Sequence, residues 1–240
     1  FELHYQPIAA VKNRRTDVEH HAEVLLRMID NSQKHLPGLI LPNAFIPAAE
    51  RYRLMPAIDR WVTRHALYAL ATPGSSLADM HMVSINLSGQ SLADLKLLDY
   101  VLELLLETHV APTMLCFEIT ESAVIANLEV ARTFIQRLKD MGCRFALDDF
   151  GSGLSSFAYL KNLPVDFVKL DGALVRDVAN DRISQAMVAS INQVAHVMAM
   201  QTIAEYVESE AAIKVLEAIG VDYIQGYAIA HPQRLVIPQS

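Results

Sequence analysis

Eight short runs rich in apolar and β-branched residues punctuate this chain: LHYQPI, AEVLLR, MVSIN, MLCFEIT, RFALD, FVKLD, TIAE and YIQ. Their composition reads as strand. Between them, apolar positions recur at three or four residues, as in Leu92, Leu95, Leu98, Leu102 and Leu105, or Ile183, Met187, Ile191, Val194 and Met198. That spacing predicts amphipathic helices, as it does over 43–53, 56–71, 129–141 and 209–219. Eight strands alternating with helices over 240 residues predict an α/β fold, a (β/α)8 TIM-like barrel of the usual roughly 250 residues, with an open doubly wound sheet as the rival. The polar residues separate the two. Asn86, Glu118, Asp148, Lys169 with Asp171, Glu205 and Gln225 each close a different apolar run. An open sheet gathers such residues only at one switch point, whereas a closed barrel gathers every strand end into one ring.

Charge and hydropathy narrow the function. The 20 Lys and Arg against 27 Asp and Glu leave a formal charge of −7, which disfavours a binder of long nucleic acid and leaves open a short anionic ligand held through metal. The uncharged stretch from Gln185 to Ala204 is interrupted by Ser190, Asn192, Gln193, His196 and Gln201, so it reads as a buried helix and no membrane contact is expected. No linker, repeat or compositional shift divides residues 1–240, and a single domain is expected. The opening FELHYQPI has neither Met nor an apolar leader, the pattern of a domain within a longer protein. Cys116 and Cys143 lack metal spacing and read as buried free thiols, making the cytoplasm the expected location, whether or not the parent protein is membrane-anchored.

Glu23, Glu118, Asp148, Asp149, Asp171 and Glu205 place six carboxylates near one barrel mouth, a density of like charge that calls for bound cations. Asn86 adds a neutral oxygen. Oxygen ligands without Cys or paired His select Mg2+ or Mn2+, and the adjacent Asp148 and Asp149 suit a carboxylate shared between two ions. Such a centre hydrolyses phosphate esters. Other signals read as structure. Gly151-Ser152-Gly153 lacks the remainder of a phosphate-binding motif and suits a turn. His20 and His21 suit a solvated turn, and Trp61 shares a helical stripe with Ile58, Val62 and Leu67. Ser88 and Ser155 lie in no nucleophile elbow.

The chain also carries YQPI at 5–8, EVLLR at 23–27, FIPAAE at 45–50, NLS at 86–88, EITE at 118–121, DDFGSG at 148–153, PVDFVKLD at 164–171, EYVE at 205–208 and QGY at 225–227. In these motifs it resembles the EAL-domain phosphodiesterases, which linearise the bacterial second messenger cyclic di-GMP. The resemblance implies a barrel with an atypical first strand, a homodimer with the 151–160 loop near its contact, and sensory or cyclase domains elsewhere in the chain. It implies Glu23, Asn86, Glu118 and Asp148 as ligands of one Mg2+ or Mn2+, and Asp148, Asp149 and Glu205 as ligands of a second, with Ca2+ inhibitory. Lys169 would position or polarise the attacking water, and Glu205 is open between ligand and general base. Asp171 and Gln225 would hold water or neighbouring ligands, Glu121 the loop, and Arg27 a substrate phosphate. Gln6, Leu25, Asp59 and Pro232 would contact guanine and ribose. Val24 replaces the family's middle Ala on the strand face opposite Glu23, and Leu154 stands where an aromatic residue is more usual. A non-catalytic receptor of the same fold is the alternative.

Overall fold

The eight apolar runs close into a barrel of β1 (Glu2–Ala10), β2 (His21–Asp30), β4 (Met82–Asn86), β5 (Leu115–Thr120), β6 (Arg144–Phe150), β7 (Phe167–Leu170), β8 (Gln201–Ala204) and β9 (Tyr223–Ile224). The computed structural model describes residues 1–12, 20–30, 38–151 and 157–238. From β2 round to β9 every neighbour is parallel. The first strand is inverted: β1 runs antiparallel to both β2 and β9 and so closes the ring. Two short strands lie outside the barrel, β3 (Gly38–Ile40) on the upper half of β2 and β10 (Gln233–Arg234) on β1.

Helices α1 (Pro42–Arg51), α2 (Met55–Ala71), α3 (Gly89–Leu92), α4 (Leu95–Thr108), α5 (Glu121–Ala126), α6 (Leu128–Asp140), α7 (Phe157–Leu160), α8 (Gly172–Val175), α9 (Arg182–Val197) and α10 (Glu210–Ile219) fill the connections. Two sequence expectations are corrected. The leucine window from Leu92 to Leu105 is two helices, because the Asp94 carboxylate accepts the Lys96 amide and caps a new start. The Gln185–Ala204 stretch is not one buried helix: α9 ends at Val197 and the remainder enters β8. Only one face of α9 is covered, by Val188, Ile191, Asn192 and Ala195, while Ile183 is 71 % exposed. Among the described residues no helix is long and apolar enough to cross a membrane.

The core has two parts. A large shell between strands and helices includes Val24, Ile85, Phe117, Leu147, Val168 and Ala204. A separate plug fills the barrel's interior at the strand starts, made of Ile8, Met82, Cys116, Ala146, Phe167 and Ile203 against Tyr223. Cys116 and Cys143 are buried free thiols, and burial pushes Cys143 up to about 12.

Candidate active site

Side chains alternate across a strand, so the residue two positions beyond each plug residue faces the same interior. Those positions change from apolar to polar together: Met82 gives way to Ser84 and then Asn86, Cys116 to Glu118, Ala146 to Asp148, Phe167 to Lys169, Ile203 to Glu205 and Tyr223 to Gln225. Because β1 is inverted, Gln6 precedes Ile8 and pairs directly with Glu23 of β2. The polar ring therefore sits on an apolar floor.

Lys169 is fully buried at its centre. Its Nζ lies 2.5 Å from Glu118 Oε2, 2.8 Å from Glu205 Oε1, 3.2 Å from Asp148 Oδ1 and 3.5 Å from Glu23 Oε2. Burial alone would lower the lysine's pKa, but Asp148, Glu118, Glu205 and Glu23 hold it well above its ordinary value. One ammonium facing four carboxylates leaves negative charge uncompensated. Burial, opposed by Lys169 and reinforced by Glu23 and Asp148, pushes Glu118 up to about 8. Burial likewise raises Glu205, whereas Lys169 and hydrogen bonds from Gln225 (2.8 Å) and Asn86 (2.6 Å) keep Glu23 below the usual range despite its burial.

The β6 end breaks the alternation that would otherwise turn Asp148 and Asp149 to opposite faces. Its register with β7 shifts between Leu147 and Phe150, and Asp149 adopts a left-handed backbone at φ 57°, a bulge that re-aims side chains. Asp148, Asp149 and Glu205 consequently offer carboxylate oxygens that all lie within 4.8 Å of one another. Asp149 is pushed up to about 6 by burial and then by Asp148 and Asp171. The donor set suits a hard divalent cation: it is all oxygen, it is anionic in excess of Lys169, and Glu118 Oε1 is buried with no partner.

The ring opens into a cavity of about 510 Å3 lined by Glu23, Asp148, Asp149, Glu205, Gln225 and the upper half of β2, among others. The EAL domain family matches residues 1–232. The chain belongs to the EAL domain family. It is 42 % identical over 237 residues to the cyclic di-GMP phosphodiesterase PdeB of Shewanella oneidensis, covering 97 % of this chain and 26 % of that protein. It is 37 % identical over 236 residues to the cyclic di-GMP phosphodiesterase PdeF of Escherichia coli, covering 98 % and 30 %. The chain thus spans less than a third of the length of these two relatives. Among solved structures, the phosphodiesterase PaMucR in complex with c-di-GMP aligns with a TM-score of 0.84 at 32 % identity, over 96 % of this chain and 91 % of that one. The FimX EAL domain of Pseudomonas aeruginosa bound to c-di-GMP aligns at 0.86 and 31 %, over 97 % and 90 %.

Within this EAL domain, Gln6, Leu25, Arg27 and Pro232, which the resemblance implies as substrate contacts, line the cavity. Asp59 does not: it is buried in α2 with its carboxylate on Ser88 and Ser91. Asp171 caps α8 through the Ala173 amide and is not among the cavity-lining residues. Glu121 is the first residue of α5, just past the end of β5, where it accepts a 2.6 Å bond from the Tyr159 hydroxyl. Residues 152–156 of the 151–160 loop, Leu154 and Ser155 among them, lie outside the described residues. Sequence reasoning missed Arg176, Tyr206, Glu208 and Tyr227, which also line the cavity. Tyr206 and Tyr227 sat inside quoted motifs, EYVE and QGY, without a role; nothing in the sequence singled out Arg176. Its guanidinium lies 4.9 Å from the centre of the Tyr206 ring.

Proposed function

We propose that this EAL domain hydrolyses cyclic di-GMP to linear pGpG as the catalytic domain of a longer signalling protein. The observation that carries this reading is the complete acidic ring around Lys169, set at the foot of a cavity walled by Arg27, Arg176 and two tyrosines. The naming of its relatives as cyclic di-GMP phosphodiesterases supports the substrate.

Glu23, Asn86, Glu118 and Asp148 would hold one Mg2+ or Mn2+, and Asp148, Asp149 and Glu205 a second. Bound there, such ions lower the pKa of water and neutralise charge on the phosphoryl oxygens. The residues supply the remainder. Lys169 stays protonated among carboxylates and donates to the attacking water or the developing oxyanion. Arg27, whose Nη1 is anchored on the Leu26 carbonyl at 2.8 Å, presents its other donors to a phosphodiester. Gln225 and Glu121 keep Glu23 and the neighbouring loop in place. The water oxygen bonds to phosphorus as the bond to the 3′ oxygen breaks, and one water proton ends on that oxygen. A homodimer with the 151–160 region near its contact belongs to the same proposal.

The test is to incubate the domain with cyclic di-GMP and Mg2+ or Mn2+ and separate the nucleotides by chromatography. Appearance of pGpG is expected. Tight binding of the dinucleotide with no product would replace this reading with a receptor role.

A further inference from the structure

Asp59 is 3 % exposed on α2, and its Oδ2 alone accepts three hydrogen bonds. They come from the Ser88 amide at 2.9 Å, the Ser88 hydroxyl at 2.7 Å and the Ser91 hydroxyl at 2.7 Å. All three donors belong to the turn and short helix that follow β4. That strand ends on Asn86, whose Nδ2 donates to Glu23 in the acidic ring.

Beyond Asn86 the chain is held at two successive amides. Leu87 donates to the Glu118 carbonyl at 2.8 Å, and Ser88 donates to Asp59. The following helix has four residues, too few to be stable unaided, and its N-cap Ser88 and its Ser91 are the groups tied to Asp59. Helix α2, by contrast, has 17 residues and packs against the shell core. The carboxylate thus transfers the rigidity of α2 to the strand end. A buried charge is costly when apolar packing would close the same space, and three donors converging on one oxygen fix a direction that apolar contact does not.

We propose that Asp59 is a positioning residue that sets the end of β4 so that Asn86 presents its side chain to the cation site. The inference rests on Asn86 being a ligand there, as argued under the proposed function. The test measures binding of Mn2+ alone, by the paramagnetic resonance of the free ion, alongside thermal unfolding and turnover. Asp59→Ala should weaken Mn2+ binding about ten- to a hundred-fold, the range for groups that orient ligands. Asp59→Asn, whose amide oxygen still accepts from the serines, should recover part of that loss. In an Asn86→Ala background Asp59→Ala should cost less than about two-fold more, because the two act through one path. A purely architectural role would lower the unfolding temperature and leave Mn2+ affinity at the wild-type value, which overturns the proposal; so would full additivity with Asn86→Ala. If Asp59→Ala does not fold, Ser88→Ala, which removes one of the three bonds, takes its place with a smaller loss expected and none overturning the idea. A wild-type domain that binds no Mn2+ and yields no pGpG defeats the underlying function reading instead.

Discussion

Lys169 occupies a position where an ammonium ion persists only because four carboxylates surround it. Replacing it with Met should therefore reduce the single-turnover rate in Mg2+ far more than dinucleotide affinity measured in Ca2+. A mutant that binds much more weakly yet turns over bound substrate normally would make Lys169 a phosphate anchor. Glu23 and Val24 offer a sharper contrast, since adjacent residues of β2 face the ring and the shell core respectively. Glu23→Ala and Asp148→Ala should abolish turnover. Val24→Ala removes apolar volume from the 2 %-exposed shell position, so it should cost about 1–3 kcal/mol of stability and leave the rate within a few-fold. Denaturant titration and a pGpG assay on the three variants check both halves, and a Val24→Ala enzyme that folds but is dead would show the strand register to be wrong.

At the scale of elements, the junction of α8 with the segment after β8 shapes the cavity wall. A Cβ on Gly172 would lie 2.3 Å from Tyr206 Cδ2, and Tyr206 is already held at φ 52° beneath Arg176. Gly172→Ala should swing the ring away, raising the KM for cyclic di-GMP several-fold while Mn2+ affinity stays unchanged. Equal KM values would mean that the Tyr206 face does not meet substrate. The strands themselves were legible as short runs rich in apolar residues, and the six that close on polar residues disclosed the ring. The direction of β1 was not legible from composition, because period-two alternation reads the same forwards and backwards. Strands β3 and β10, of three and two residues, are too short to carry a pattern. The adjacent Asp148 and Asp149 drew notice in the sequence, but the aim of Asp149 depends on a bulge and the place of Arg176 on a meeting of the α8 end with Tyr206 beyond β8, so neither geometry leaves a trace in local spacing. Asp59 entered as a ligand contact through the resemblance alone, and its burial against Ser88 and Ser91 depends on a packing of α2 on the turn after β4 that local spacing does not reveal.

At the scale of the whole molecule, the proposed substrate is an anionic dinucleotide, which an anionic ring in a chain of net charge −7 would have to receive. Divalent ions should then serve affinity as well as chemistry: exhaustive chelation should remove turnover and weaken dinucleotide binding, and Ca2+ should restore binding without turnover. Saturating Mn2+ should also raise the unfolding temperature, since a ligand at about 100 times its Kd adds about 2.7 kcal/mol to the folded state. Calorimetry with and without metal checks this, and full activity in protein shown metal-free by elemental analysis would defeat the two-ion reading. If the proposed dimer contact near 151–160 reports assembly to the ring, sedimentation with matched assays should find the monomer less active than the dimer; equal specific activities would remove that link. The apolar plug beneath the ring has a kinetic consequence. Phe167, Ile203 and Met82 close the barrel below Lys169, so under the proposed function the cyclic dinucleotide and its linear product would use the same mouth above the ring. Product that lingers therefore blocks its successor, and pGpG should inhibit competitively, leaving the maximal rate intact while the apparent KM climbs with each addition.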